Sequence, residues 1–199
     1  MDQFISQADA RPLCVDLDGT LVSSDLLVES IFALLKQNVL YVFLLPVWLL
    51  RGKAHLKHQI ADRIEFHAHL LPYHESFVEY LREQHTSGRR LVLTTAANVK
   101  FAEAVARHLG FFSSVLASDA QTNLSGRQKL EQLRSRFGDG NFDYASNAKV
   151  DLVIWAHAGE AILVNPGRGV CAAAERLTRV VHVFDERKGH LKLYLKALR

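Results

Sequence analysis

The short apolar run Leu13-Cys14-Val15 ends abruptly in Asp16-Leu17-Asp18-Gly19-Thr20, and this junction constrains the fold more than any other stretch of the chain. A brief unbroken apolar run reads as a strand buried on both faces, as in a parallel sheet covered by helices. In such sheets ligands bind beyond the carboxyl ends of the strands, which is where this acidic turn would lie. Strand alternation sends Asp16 and Asp18 to one side and Leu17 to the other. Two carboxylates held this close repel each other and attract a hard cation such as Mg²⁺, which takes oxygen ligands. Gly19 lets the backbone approach an anion, and Thr20 adds a hydroxyl near a helix N-terminus. The set suits phosphoryl chemistry, since carboxylates are known phosphoryl acceptors. The plainer reading is a capped Asp-Gly turn.

Residues 21–85 carry helical spacing with almost no strand signal. Leu26, Leu27, Ile31, Leu34 and Leu35 form one face of a helix over 25–36, and further helices are expected over 57–67 and 74–84. From Arg89 the pattern alternates. Strands are expected at 91–94, 114–117, 142–145, 161–164 and 180–184. Helices are expected at 99–109, 127–137, 150–157 and 171–177, the first two closed by Gly110 and Gly138. This alternation predicts an α/β fold, a Rossmann-like parallel sheet with helices on both faces and a helical insertion after its first strand.

Charge and cysteine usage narrow the partners. A net charge of +3 and a pI near 8.9 fit an anionic substrate or a membrane surface, and no dense basic stripe argues for nucleic acid. Cys14 and Cys171 have no metal-site spacing, and Met1 to Ile5 lack the charged start and apolar core of a signal peptide. A reducing, cytoplasmic setting follows. Val39 to Leu50 is uncharged, but it is too short to span a bilayer and is interrupted by Pro46. The favoured reading is a buried or homodimer-forming helix; the other is an apolar surface touching lipid or a lipid-like substrate, with Arg51, Lys53 and Lys57 behind it. His55, His58, His67 and His69 have no acid or thiol completing a ligand set. Neither a Gly-x-Ser-x-Gly elbow nor a P-loop is present, and Arg168 in the loop 165–169 is a marginal substrate contact.

Asp16 to Thr20 resembles motif I of the haloacid dehalogenase superfamily of phosphohydrolases, phosphoserine-phosphatase-like. The resemblance implies that Asp16 is the nucleophile, forming an aspartyl-phosphate, and that Asp18 protonates the leaving group and then activates water. Its phosphate-binding Ser/Thr falls on Thr95, at the turn after the second core strand, followed by the small Ala96 and Ala97; an ordinary strand threonine is the alternative. The charge-neutralising Lys falls on Lys129, with Arg127 second. The Mg²⁺ set would be Asp16, Asp18, Asn147 and Asp151, and it departs from the family pattern because Ser146-Asn147 replaces Gly-Asp. Gly19, Thr20, Asp25 and Ala96 are the implied substrate contacts, although Asp25 serves equally well as a helix N-cap. The implied domains are a core at 8–22 and 86–188, a helical C1 cap at 23–85, and a basic tail at 189–199.

Several runs, among them RFGDGNFDY and AILVNP, resemble the soluble domain that precedes UbiA-type prenyltransferases, and Leu191 to Arg199 resembles the lead into such a membrane domain. A small or prenyl-linked phosphate monoester, a UbiA-type partner and a location at the inner membrane face are implied. The leading expectation is a Mg²⁺-dependent phosphatase. The alternatives are a degenerate binding or membrane-associated accessory module, motivated by Asn147, and a phosphotransferase.

Overall fold

The computed structural model describes residues 11–185. The outer ends of the expected core, the basic tail and the run Leu191 to Arg199 lie outside the described residues. Six strands form one sheet: β1 (Leu13–Val15), β2 (Leu91–Asn98), β3 (Ser114–Ser118), β4 (Asp143–Ser146), β5 (Glu160–Val164) and β6 (Arg179–Phe184). They lie in the order β3-β2-β1-β4-β5-β6, and every pairing is parallel. The order reverses beside β1, so the crevice between the ends of β1 and β4 is the position where such sheets take ligands.

The strands alternate cleanly between two apolar layers. Leu13, Val15, Leu91, Leu93, Ile162 and Val164 face one layer, while Cys14, Val92, Tyr144, Ala161 and Leu163 face the other. Helices α4 (Glu75–Thr86) and α5 (Val99–Leu109) cover the first through Phe77, Leu81, Phe101 and Val105. Helices α6 (Arg127–Phe137), α7 (Leu152–Trp155) and α8 (Val170–Ala174) cover the second through Leu133, Ile154, Trp155 and Val170. Both faces are therefore dry, which is why the strands read as apolar runs.

Between β1 and β2 lie α1 (Leu26–Gln37), α2 (Leu44–Leu50) and α3 (Lys53–Ala61), with a 3₁₀ turn at Val39–Phe43. They share a small core of Leu34, Trp48, Leu56 and Ile60. The expected insertion at 23–85 takes in α4, which packs on the sheet itself. The helix expected over 57–67 instead runs from Lys53 to Ala61. Gly52, at φ 104°, starts it, and beyond its end Phe66 leaves the helical path to stack on Phe101 with ring centroids 4.5 Å apart.

The favoured reading of Val39 to Leu50 as buried is overturned. Among its large side chains only Trp48 is buried, while Phe43 and Leu50 are 73% and 88% exposed. Pro46 does not break α2, because it falls in the first turn, where backbone N–H groups have no helical partner. Among the described residues no helix is long and apolar enough to cross a membrane.

At the opposite edge of the sheet, the buried Asp143 at the start of β4 pairs with Arg11 and Arg89, tying the chain before β1 and β2 to β4.

Candidate active site

The β1 ladder continues one step beyond the strand, as the Asp16 amide donates to the Ala145 carbonyl at 3.0 Å. The chain then folds tightly on itself: the Leu17 carbonyl accepts from Thr20, Leu21 and Val22 in succession. Gly19 sits at φ 71°, and a Cβ there would lie 2.2 Å from Asn147 Nδ2. The close approach that requires glycine is thus made by the Asn147 side chain. Thr20, expected as a substrate contact, is fully buried and donates from its hydroxyl to Asn147 Oδ1 at 3.3 Å.

Asp16 is buried against Lys129, which reaches in from α6 and donates to its Oδ1 at 2.7 Å. The same ammonium donates to Tyr144 Oη at 2.9 Å and lies 3.9 Å from Asp151 Oδ1. Lys129 is 3% exposed whereas Arg127 is on the surface, so the structure sets Lys129 against the carboxylates. Tyr144 is itself held by Trp155, whose Nε1 donates to its carbonyl at 3.0 Å. Ser146 donates to Asp151 Oδ2, so the serine that stands in place of glycine orients the second acid. Lys149 is exposed and adds no charge to the interior.

Electrostatics follow from this burial. The Asp16 carboxyl is pushed up to about 7 by burial, opposed by Lys129 and reinforced by the charges of Asp151 and Asp18. Burial works against the Lys129 ammonium, but Asp16, Asp151 and Asp18 outweigh it and Lys129 holds its proton more tightly than an ordinary lysine. Asp18 is raised by burial, opposed by the Leu26 amide, which donates to its Oδ1 at 2.9 Å.

A cavity of about 190 Å³ lies beside this cluster, lined among others by Asp18, Asp25, Lys57, Ala96, Asn98 and Phe101. Asp25 is the N-cap of α1 and also lines the cavity. Its Oδ1 accepts from Leu27 and Val28. Ala96 lines the cavity, and its carbonyl accepts from Lys57 Nζ at 2.6 Å and from Ser118 Oγ at 2.7 Å. Thr95 is not at a turn: β2 runs on to Asn98, with its register to β3 irregular between Thr94 and Asn98. Its buried hydroxyl accepts from the Ala97 amide at 2.9 Å, so that amide is not free for a ligand. Arg168 is exposed and does not line this cavity.

Two cavity residues escaped the sequence. Lys57 Nζ also donates to Asn123 Oδ1 at 2.9 Å, and burial lowers its affinity for a proton against the pull of Asp18 and Asp25. The signal for it was a lysine sharing a helix face with Ala54, Ile60 and Ala61. Asn98 accepts from the Lys100 amide with its Oδ1, which fixes the orientation of its side chain and leaves a buried Nδ2 with no partner among the described residues.

Asp16, Asp18, Asp25 and Asp151 thus face two buried or half-buried ammoniums, Lys57 and Lys129, which leaves a surplus of negative charge; Asp16 is raised by its burial first, with Asp151 and Asp18 adding to it. A divalent cation would balance that surplus. Among the described residues no three His, Cys, Asp or Glu side chains form a ready metal cage. Mg²⁺ does not need one, since it binds through one or two carboxylates and keeps several waters.

Residues 13–140 match the family model of haloacid dehalogenase-like hydrolases. Over 157 residues, 78% of the chain, the sequence is 36% identical to the uncharacterized protein y4nM of Sinorhizobium fredii; the match covers 30% of that relative, so the chain spans under a third of its length. Among solved structures, a protein of unknown function from Bordetella pertussis Tohama I aligns with a TM-score of 0.63 at 18% identity, covering 88% of this chain and 98% of that one. A substrate-bound phosphoserine phosphatase aligns with a TM-score of 0.59 at 13% identity, covering 92% and 98%. At these identities the likeness is one of fold.

Proposed function

The chain belongs to the haloacid dehalogenase-like hydrolases, and from that premise we propose that it is a phosphoric monoester hydrolase working through a phosphorylated Asp16. The observation that carries this reading is the buried Lys129 ammonium held between Asp16 and Asp151 at the carboxyl edge of the sheet.

In the first step an Asp16 oxygen attacks phosphorus, the bond to the leaving oxygen breaks, and Asp18 gives that oxygen its proton. Burial, which raises Asp18, favours the protonated form this step needs. In the second, Asp18 takes a proton from water as the water attacks phosphorus, and the Asp16–phosphate bond breaks to release inorganic phosphate. Lys129 balances charge gathering on the transferring group. Thr95 is the proposed phosphate contact, with its hydroxyl turned to donate while it accepts from Ala97. Mg²⁺ held by one or two of the carboxylates of Asp16, Asp18 and Asp151, with Asn147 beside them, would supply further charge neutralisation when bound.

Helices α1 to α3 are the proposed lid. Lys57 from α3 and Asp25 before α1 face the cavity beside Ala96, where a leaving group would sit, while Gly19 and the buried Thr20 lie outside its lining. The cavity volume favours a small phosphate monoester; a prenyl-linked phosphate, suggested by the resemblance to UbiA-associated domains, would have to leave its chain outside.

Hydrolysis of an aryl phosphate with and without Mg²⁺ tests the reading. Wild-type turnover that needs the metal and falls by about 10³-fold or more in Asp16→Asn is expected. No turnover from folded protein would overturn it and favour the binding module that Asn147 motivated.

A further inference from the structure

The region between Glu29 and Asp62 has a charge and exposure pattern that catalysis does not use. It contains no acidic residue, and its four Lys and Arg are Lys36, Arg51, Lys53 and Lys57. The first three are exposed, and they flank the uncharged run Val39 to Leu50 on both sides. Of the fifteen exposed large apolar side chains among the described residues, nine lie between Phe32 and Leu50. Phe32, Val39, Leu40, Phe43, Val47 and Leu50 are each more than half exposed. Such a concentration is unusual for a surface in contact with water alone.

We propose that this face docks on the surface of an anionic lipid bilayer. The uncharged centre would sink its side chains to the level of the headgroups, while Lys36, Arg51 and Lys53 meet lipid phosphates. The inner core of Leu34, Trp48, Leu56 and Ile60 stays intact, so the outward side chains are free to enter lipid without unfolding the segment. A bilayer is favoured over a second copy of the chain by charge. A two-fold contact through this face would bring the flanking cations of one copy against those of the other, and the region offers no carboxylate to answer them. The α1 helix carries the exposed Phe32 on the side away from Leu26, Leu27 and Ser30, which line the cavity.

Vesicle sedimentation with the full chain tests this independently of any phosphatase activity. Wild type is expected to be retained on vesicles of equimolar phosphatidylcholine and phosphatidylglycerol, to be released by high salt, and to bind phosphatidylcholine alone poorly. Phe43→Glu with Leu50→Glu should weaken retention about tenfold or more. Arg51→Glu with Lys53→Glu should abolish the preference for anionic lipid. All four positions are exposed, so unchanged circular dichroism and melting are expected of both variants. Wild type that stays off the vesicles, or apolar variants retained as well as wild type, would overturn the proposal. So would a dimer in sedimentation velocity that the Phe43 and Leu50 changes dissolve without any vesicle binding.

Discussion

Lys129 Nζ lies 2.7 Å from Asp16 Oδ1, though the two residues are 113 positions apart in the chain. Both are buried, and neither could hold its charge there alone: the ammonium has three carboxylates to answer, and Asp16 has one ammonium shared with Asp151 and Tyr144. The pair couples the central strand of the sheet to a helix on one of its faces.

Replacing Lys129 with Met should therefore damage both chemistry and folding. Turnover of an aryl phosphate should drop by about 10²-fold or more, as for loss of a preorganised charge at a reacting centre. Stability above neutral pH should fall by about 3 kcal/mol, the usual cost of stripping one partner from a buried ion pair. Denaturant melts at acid and alkaline pH would separate the two effects, because protonation of the orphaned carboxylates relieves the folding penalty.

Without metal, stability should decline as pH rises from the ordinary 3.8 of an aspartic acid to the value of about 7 that Asp16 has in the fold. Across that interval the folded chain keeps a proton that the unfolded chain has given up, so raising pH favours unfolding. Thermal melts in chelator should show the decline, Asp16→Asn should flatten it, and Mg²⁺ should offset it by binding the deprotonated form.

Asn147→Asp should tighten Mg²⁺ binding about tenfold, read by titration calorimetry. A carboxylate can still accept from the Thr20 hydroxyl, so the turn it supports should survive. If turnover also rises from a dead baseline, the natural Asn has been limiting the reaction.

Gly19→Ala should destabilise the protein by about 2 kcal/mol or more, since the position demands a left-handed backbone and the added methyl would meet the Asn147 amide. Chemical denaturation gives the stability change, and metal affinity should fall with it because Asn147 must move.

The strands and the acidic turn were legible in the sequence because their signals are local. A run such as Leu91-Val92-Leu93 buries alternate sides against two different layers, and only a covered parallel sheet tolerates that. Lys129 was found through the family pattern, not through its helix, where nothing in the spacing separates it from a solvated lysine. What stayed hidden depended on distant partners. Tyr144 and Ser146 acquire their roles from Lys129 and Asp151, and Lys57 from a carbonyl in β2. Thr95 was misread because an irregular register lets β2 continue where the small residues suggested a turn. The burial expected of Val39 to Leu50 fails because hydropathy reports what a side chain prefers and says nothing of which faces the fold covers.

The position of β1 in the sheet bears on how the protein comes to exist. It is the first strand among the described residues, yet it lies between β2 and β4, pairing Leu13 with Leu91 on one side and Asp143 on the other. A chain made from its N-terminus therefore carries Asp16 and Asp18 without their strand neighbours until residues 91–98 and 143–146 have followed. Two long loops must close before the strand is clamped, which makes assembly slow and leaves apolar edges open meanwhile. The acidic turn is written before both of the strands that clamp it.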